Sequence, residues 1–192
     1  MNDPWFFGYG SLVNRATHGY GHAFRAQVSG WRRAWRHSRH RGLPFLTAVP
    51  APGSTIEGLV AQVPGGDWQA LDVREAGYVR LDAGAGLDPE PAGRAAGVQR
   101  AQIYAVPPAD WAAPEGLAPI ALSYLDVVLQ GYRREFGADG PARFIATTDG
   151  WDIPILDDRA APRYPRHQPL DQGERARIDA LLGDLGATIL RG

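Results

Sequence analysis

Apolar and alternating stretches in the first third of the chain predict a series of β-strands. Residues 5–9 are an aromatic run that ends in Gly-Tyr-Gly, which is typical of a buried strand entering a turn. Residues 26–38 are predicted as a second strand with a bend at Ser29-Gly30. Beyond the bend, strict alternation places four side chains on one face of the strand: Trp31, Arg33, Trp35 and His37.

Two further strands are predicted at residues 46–49 and 56–63, on either side of a tight link at residues 50–54. Residues 84–97 are rich in Gly, Ala and Pro, and this composition predicts a loop. Residues 98–106 are predicted as a late strand. The first half of the chain is therefore expected to consist mainly of short strands.

The apolar spacing changes to a helical period at Asp67, which is a good N-cap residue. Trp68, Leu71 and Glu75 then share one face, so residues 68–77 are predicted as a short helix with Glu75 pointing toward its apolar side. A carboxylate held in an apolar site is expected to have a raised pKa, which suits a general acid/base near neutral pH. A surface Glu paired with a neighbouring Arg is the alternative.

Two longer helices are predicted in the second half of the chain. One covers residues 119–136, with Pro119 in its first turn and Gly137 as its stop. Its inner face is predicted to carry Ile120, Tyr124, Val127, Val128 and Tyr132. The other covers residues 171–185, with Asp171 as its cap and Gly186 at its end. Residues 157–170, with three Pro and three Arg, are irregular and form a candidate lid.

Strands before helices favour a mixed α+β fold, and many short strands suit a small mixed or antiparallel β-barrel flanked by helices. The 192 residues are expected to form a single domain, 1–192. The formal net charge of −1 gives no overall attraction to nucleic acid or to an anionic membrane. The chain has no Cys and no apolar run long enough to cross a bilayer, and it begins without a signal-peptide pattern. A cytoplasmic location is expected.

Three further patterns in the sequence bear on other kinds of chemistry. Residues 31–41 hold five Arg, two Trp and two His, which would suit nucleic-acid binding if they formed an exposed stripe, but the charges alternate along a strand. One of these Arg residues is a candidate partner for a substrate carboxylate. His18 and His22 have the spacing of metal ligands on a helix face, yet no third ligand accompanies them, and no metal site is predicted. Asp157 and Asp158, beside Arg159, suit a turn or an ion pair.

Three segments carry a family resemblance. The strand-turn Tyr9-Gly10-Ser11-Leu12 offers backbone N–H groups, although by itself it is only a Gly-rich turn and lacks the third Gly of a dinucleotide-binding fingerprint. It is followed, in order, by Arg74-Glu75-Ala76-Gly77-Tyr78 and by Ser123-Tyr124-Leu125-Asp126. Together these segments resemble the γ-glutamylcyclotransferase superfamily over residues 6–137. The sequence around Glu75 is similar to that of the ChaC-type, glutathione-degrading branch. The helix sequence around Tyr124 is similar to that of the branch that acts on γ-glutamyl amino acids.

The resemblance implies roles for particular residues. The backbone of Tyr9, Gly10, Ser11 and Leu12 would hold the amino-acid end of a γ-glutamyl group, Glu75 would be the catalytic acid/base, and Tyr124 would line the pocket. The implied reaction is cyclisation to 5-oxoproline with release of an amine, without a metal or organic cofactor. Glutathione, γ-glutamyl amino acids and γ-glutamyl amines stay open as small-molecule substrates. A non-catalytic member of the same fold that binds a small ligand or a protein is the alternative.

Overall fold

The computed structural model describes residues 4–39, 41–112 and 118–191. The strands are β1 (Trp5–Gly8), β2 (Ala23–Ser38), β3 (Arg41–Gln62), β4 (Val79–Asp82), β5 (Leu87–Pro89), β6 (Gln102–Ala105), β7 (Ile120–Ala121), β8 (Thr148–Asp149), β9 (Ile155–Asp157) and β10 (Ile189–Arg191). The α-helices are α1 (Trp68–Arg74), α2 (Pro91–Ala95), α3 (Leu122–Phe136), α4 (Gly140–Ala146) and α5 (Gln172–Asp184). The mixed α+β class predicted from the sequence is confirmed.

Seven strands form the main sheet in the order β4-β6-β1-β3-β2-β5, with β8 pairing on β2. The pairs β1–β3, β2–β3, β2–β5 and β4–β6 are antiparallel, whereas β1–β6 and β2–β8 are parallel. A second sheet has the order β10-β9-β7. Over the described residues the strand order has two ends, β4 and β5, so the predicted barrel does not close. That residues 1–192 form a single domain stays a prediction.

The two predicted strands at 46–49 and 56–63 are parts of one long strand, β3, and the predicted tight link between them is wrong. Trp31 of β2 pairs with Pro50 and Ser29 pairs with Thr55, so one residue of β2 faces four residues of β3. Proline is tolerated at such an irregularity because a ladder hydrogen bond is already missing there. The bend at Gly30, whose φ is +87°, is confirmed. Beyond it, the four side chains that alternation groups on one face are buried, together with Ala34 of the opposite face: Trp31, Arg33, Trp35 and His37.

Several helical and loop boundaries differ from the sequence prediction. The α3 helix begins at Leu122 because the preceding Ile120 and Ala121 pair with β9 as strand β7. The loop predicted at residues 84–97 contains β5 and α2, and the strand predicted at 98–106 is confined to β6. The caps at Asp67 and Asp171 are confirmed, since each side chain accepts hydrogen bonds from the first-turn N–H groups of its helix.

The α3 helix packs against the turn that follows β1. A Cβ added to Gly131 of α3 would lie 2.7 Å from the backbone nitrogen of Asn14, so only glycine permits this approach. The buried Asn14 side chain donates to the Val127 carbonyl at 3.0 Å and to Gln130 Oε1 at 2.9 Å. These contacts place the inner face of α3, including Tyr124, beside residues 9–14. In the described ranges, no helix is both long and apolar enough to span a membrane.

Candidate functional site

The turn after β1 brings its backbone against a tyrosine hydroxyl of α3. Ser11–Val13 form a short 3₁₀ helix whose hydrogen bonds run from Val13 N to Gly10 O and from Asn14 N to Ser11 O. The N–H groups of Ser11 and Leu12 therefore have no acceptor within this helix. A Cβ on Gly10 would lie 2.7 Å from the Tyr124 hydroxyl. Glycine at position 10 is thus what lets the chain pass Tyr124 at this distance.

Tyr9 is held by hydrogen bonds at its side-chain hydroxyl and at its backbone carbonyl. Its hydroxyl donates to the Tyr104 carbonyl at 2.5 Å and accepts from Ala48 N at 2.9 Å. Its backbone carbonyl accepts from the Tyr132 hydroxyl at 2.9 Å. Burial, more than any neighbour, raises the pKa of the Tyr9 phenol, so it stays protonated. Tyr9 consequently fixes the start of the turn.

Glu75 lies at the end of α1, where it is the C-cap residue rather than part of the helix. Its side chain is 19 % exposed and pairs with Arg74, whose Nε lies 3.2 Å from Glu75 Oε1. Arg74 is in turn tied down by hydrogen bonds to the Thr17 carbonyl and hydroxyl. The alternative of an Arg partner is therefore confirmed, since Glu75 pairs with Arg74. The expected surface position is wrong, because both side chains line a cavity.

The negative charge of Glu75 affects the pKa values of nearby tyrosine hydroxyls. It contributes to the raised pKa values of Tyr9, Tyr104 and Tyr124, in each case after burial as the largest cause. For Tyr124, burial and the neighbouring Tyr164 hold the pKa well above its usual value, against a hydrogen bond with the Ser11 backbone. All three phenols therefore remain protonated, and the hydroxyls of Tyr9 and Tyr104 already donate, to the Tyr104 carbonyl and to Asp72 Oδ1.

One cavity of about 420 Å³ adjoins these groups. A smaller recess of about 40 Å³ lies at the turn backbone of residues 9–12. Five residues line both spaces: Ser11, Leu46, Glu75, Tyr78 and Tyr124. All six residues singled out in the sequence line the smaller recess: Tyr9, Gly10, Ser11, Leu12, Glu75 and Tyr124. Their catalytic and substrate-binding roles stay predictions.

Residues 157–170, called the strap below, form a further wall of this cavity. Ser123, at the start of α3, donates to Asp158 from its N–H and its hydroxyl, at 2.7 and 2.6 Å. The Tyr164 hydroxyl donates to Ser11 Oγ at 2.9 Å, and its ring packs edge-on against Tyr124. The sequence suggested a lid here from Pro and Arg content alone. Tyr164 and the Asp158 anchor were missed because both depend on contacts with distant residues.

Of the two arrangements expected around Arg159, a local turn or an ion pair with a neighbouring Asp, the structure has the turn. The Arg159 N–H contacts Asp157 Oδ1 at 3.2 Å, which is the expected local turn. Its guanidinium pairs with Asp126 of α3 and Asp179 of α5 instead of a strap carboxylate. Burial raises the pKa of Asp126 even though Arg159 opposes this effect. Arg159 therefore joins the strap to two helices and does not face the cavity.

In the described part of the basic stretch at residues 31–41, which does not include His40, no exposed stripe of the kind expected for nucleic-acid binding is present. Trp31, Trp35 and Arg33 are buried, with Arg33 inside an aromatic enclosure of Tyr132 and Phe144. Arg32 is paired with Asp149 at 2.7 Å. The side chain of Arg41 lies outside the described residues. No described Arg of this stretch lines the cavity of Glu75.

The predicted helical spacing of His18 and His22 is wrong. His18 ends a 3₁₀ helix in extended conformation and contacts the Leu12 carbonyl through Nε2 at 2.9 Å, whereas His22 precedes β2. In the part of the chain that the structure describes, no group of three or more His, Cys, Asp or Glu residues is arranged to hold a metal ion.

Solved structures share this architecture. A human protein known as uncharacterized protein loc79017 superposes with a TM-score of 0.57 at 14 % identity, covering 93 % of this chain and 99 % of its own. A γ-glutamyl cyclotransferase superposes with a TM-score of 0.57 at 13 % identity and the same coverage. YkqA from Bacillus subtilis gives 0.54 at 17 % identity over 78 % of this chain, which spans 57 % of YkqA. At these identities the likeness shows the fold alone, a γ-glutamylcyclotransferase-like fold.

The family follows from the sequence itself. The sequence model described as ChaC-like protein matches residues 4–109, more than half of the chain and including the turn and Glu75. The chain therefore belongs to the ChaC-like family within the γ-glutamylcyclotransferase superfamily. No curated protein matches it in sequence. The family match ends before α3 and the strap, so Tyr124 and Tyr164 lie outside it.

Proposed function

We propose that this protein is a γ-glutamylcyclotransferase, which converts the γ-glutamyl group of a γ-glutamyl amide to 5-oxoproline and releases the amine. The observation that carries the proposal is the position of Glu75 on the same cavity as the turn backbone of residues 9–12. Membership of the ChaC-like family and the shared fold support it. A carboxylate on the outer surface, away from the turn, would have argued against catalysis.

The proposed reaction requires one bond to form and one to break at the γ-carbonyl carbon. The α-amine attacks this carbon, the amide C–N bond breaks, and the five-membered ring closes. Because nucleophile and electrophile belong to the same molecule, holding the chain folded supplies much of the acceleration. The protein therefore needs to position the γ-glutamyl group rather than to bring two substrates together.

In this proposal Glu75 moves the proton. The α-ammonium group first releases one proton to solvent; Glu75 then accepts a second proton from the same nitrogen as it attacks, and donates that proton to the departing amine nitrogen. The pH dependence of kcat in wild type and in Glu75→Gln tests this role. The net reaction leaves Glu75 unchanged, so no cofactor is consumed.

The remaining groups are proposed to bind the substrate and to polarise its γ-carbonyl group. The N–H groups of Ser11 and Leu12, at the start of the turn, are proposed to hold substrate oxygen atoms near Glu75. Protonated Tyr124, whose hydroxyl lies beside Gly10 and hydrogen-bonds with the Ser11 backbone, is a further donor at the recess. These donors would stabilise the negative charge that develops on the γ-carbonyl oxygen during ring closure.

The test is release of 5-oxoproline, measured by mass spectrometry, from glutathione and separately from a panel of γ-glutamyl amino acids and amines. We expect release from at least one of them and a loss of at least about 100-fold in kcat for Glu75→Gln. Glu90→Gln is a matched control, because Glu90 is also partly buried and paired with an Arg but lies away from the cavity. Equal release by wild type and Glu75→Gln would remove Glu75 from the mechanism.

A binding protein with the same fold is the second candidate. It is favoured if no substrate yields 5-oxoproline while γ-glutamyl compounds still bind in calorimetry. The buried, hydrogen-bonded Tyr9 and the close approach at Gly10 would serve such a protein equally well. The position of Glu75 beside the recess favours catalysis, because a carboxylate there would repel the α-carboxylate of a ligand that is merely held.

A further inference from the structure

The strap adds two unpaired cations to the cavity. Arg163 and Arg166 both line the space of about 420 Å³ and are exposed at its mouth. Among the described residues, neither guanidinium has a hydrogen-bond or ion-pair partner, and both stand on the same wall as Tyr164. The third cation of the cavity, Arg74, is already engaged by Glu75 and Thr17. The strap therefore supplies the cations that remain available to a ligand.

The two cations lie on the outer side of the reacting groups. The small recess at the turn is lined by neither of them, whereas Ser11, Glu75 and Tyr124 border both spaces. A γ-glutamyl group held at the turn thus directs its amide nitrogen, and the amine half beyond it, into the outer space. The other lining there is largely apolar or aromatic, including Trp35, Phe45 and Ile120.

We propose that Arg163 and Arg166 determine specificity by binding a carboxylate on the amine half of the substrate. The inference rests on the proposed function and narrows it. γ-Glutamyl amino acids and peptides with a free carboxylate are preferred over neutral γ-glutamyl amines. An Arg at a cavity mouth binds a carboxylate through charge-assisted hydrogen bonds, and the apolar walls reduce screening by water.

The strap is anchored in a way that holds these cations in place. Asp158 accepts the Arg163 N–H at 2.9 Å and both donors of Ser123. The next residue, Tyr164, donates from its N–H to Ser123 Oγ at 3.1 Å and from its hydroxyl to Ser11. The backbone on which Arg163 stands is thus joined to the first turn of α3 and to the β1 turn. The guanidinium groups retain their own freedom to meet a ligand.

The sharpest test uses two substrates that differ only by the carboxylate. γ-Glutamylalanine and γ-glutamylethylamine share the γ-glutamyl group and an ethyl amine skeleton, and only the former carries a carboxylate on it. We expect wild type to favour γ-glutamylalanine by about 10- to 100-fold in kcat/KM. The double variant Arg163→Gln/Arg166→Gln is expected to lose most of that preference, mainly through a higher KM, while its activity on γ-glutamylethylamine changes little.

Two controls separate charge from folding. Arg177→Gln on α5 removes an exposed Arg away from the cavity and is expected to leave the preference intact. Arg163→Lys/Arg166→Lys keeps the charge and is expected to retain part of it. Equal turnover of the two substrates by wild type, or an unchanged preference in the double Gln variant, overturns the inference and leaves the proposed function standing.

A different outcome bears on the proposed function itself. If neither substrate yields 5-oxoproline, nor does any other γ-glutamyl compound, catalysis is rejected and calorimetry on Glu75→Gln becomes the readout. Suppose that Glu75→Gln binds γ-glutamylalanine more tightly than γ-glutamylethylamine, and that this difference is lost in the triple variant Glu75→Gln/Arg163→Gln/Arg166→Gln. This result supports carboxylate binding by Arg163 and Arg166. Equal binding of the two compounds overturns their role.

Discussion

The hydroxyl of Tyr132, in the third turn of α3, lies 2.9 Å from the carbonyl oxygen of Tyr9 at the end of β1. The same hydroxyl reaches the Glu57 carbonyl at 2.6 Å and accepts from buried Arg33 at 2.8 Å. Burial, opposed by Arg33, raises the pKa of Tyr132 to about 12, so the hydroxyl remains a donor. The start of the proposed substrate-binding turn is therefore held by a helix and by a buried cation.

Tyr132→Phe is expected to lower both stability and activity. It removes one hydrogen-bond partner from the Tyr9 carbonyl and one from a guanidinium nitrogen of Arg33, which keeps the Glu57 carbonyl. This loss costs about 1–3 kcal/mol of unfolding free energy. Urea unfolding measures this loss, and kcat is expected to fall with it because the turn is less well fixed. Tyr20→Phe is the control, since no described residue hydrogen-bonds to the Tyr20 hydroxyl. Equal losses for the two variants would contradict the role of Tyr132.

Gly10→Ala is expected to reduce kcat/KM by about 10-fold or more and to destabilise the fold by about 1–3 kcal/mol. The added methyl would lie 2.7 Å from the Tyr124 hydroxyl and 3.4 Å from Leu46 Cδ2. Because Tyr124→Phe removes the nearer atom, the same substitution should cost less stability in that background. A double-mutant cycle measures the difference. Strictly additive free energies would mean that the Tyr124 hydroxyl does not set the requirement for glycine.

Part of the site was predictable because its determinants are local. The turn at residues 9–12 and the Asp67 cap depend on nearby residues, and alternation alone grouped the side chains of β2 by face beyond Gly30, without indicating which face is buried. The α4 helix was missed: it opens with Gly140 and Pro141, which usually signal a turn, and Pro fits only because it falls in the first turn. Strand β3 was divided for the same reason, since turn-forming residues at 50–54 coincide with an irregularity rather than an end.

The strap shows more clearly what the sequence alone does not predict. No periodicity in residues 157–170 indicates which side chains face the cavity, because its contacts are made to residues far away in the chain. Tyr164 and Ser11 are 153 positions apart, and no local pattern links them. Glu75 was predicted on the apolar side of the first helix, and the alternative expected its pairing with an Arg at the surface, whereas the pair with Arg74 lines the cavity.

Stability is expected to fall as pH drops from 7.5 to 5.5, in part through His18. Burial, with Arg74 and Arg15, lowers the pKa of His18 below 6.5, against the Leu12 carbonyl and Glu135. The Leu12 carbonyl requires Nε2 to donate, so Nδ1 accepts from the Tyr20 N–H only in the neutral ring. The unfolded chain thus binds the proton more readily, and stability is lost as pH falls through 6.5 toward the folded pKa.

His18→Gln tests this assignment. The destabilisation caused by the substitution, measured by urea unfolding, should be larger at pH 7.5 than at pH 5.5, because the wild type itself loses the interaction at low pH. Exposed His22→Gln should show no such change. A cost of His18→Gln that is independent of pH would assign the acid sensitivity to other groups.

Asp158→Asn is expected to loosen the strap. Burial would raise the pKa of Asp158, but hydrogen bonds from Ser123 and from the Arg163 N–H outweigh it and lower the pKa, so the carboxylate anchors the strap at neutral pH. We expect amide hydrogen exchange at Arg163 and Tyr164 to accelerate by about 10- to 100-fold in the variant. Asp157→Asn, one residue earlier, should affect only the Arg159 amide. Unchanged exchange at Arg163 would contradict the anchor.

The contact between Ser11 and Tyr164 also bears on the order in which the molecule is made. During synthesis the β1 turn and Glu75 leave the ribosome well before the strap, and domains fold as their residues emerge. A nascent chain that ends before residue 157 can pair β1, β2 and β3 but has only an open groove in place of the cavity. Enclosure of the groove is thus a late event of biosynthesis, so a prematurely terminated chain would retain Glu75 and the turn without the wall that faces them.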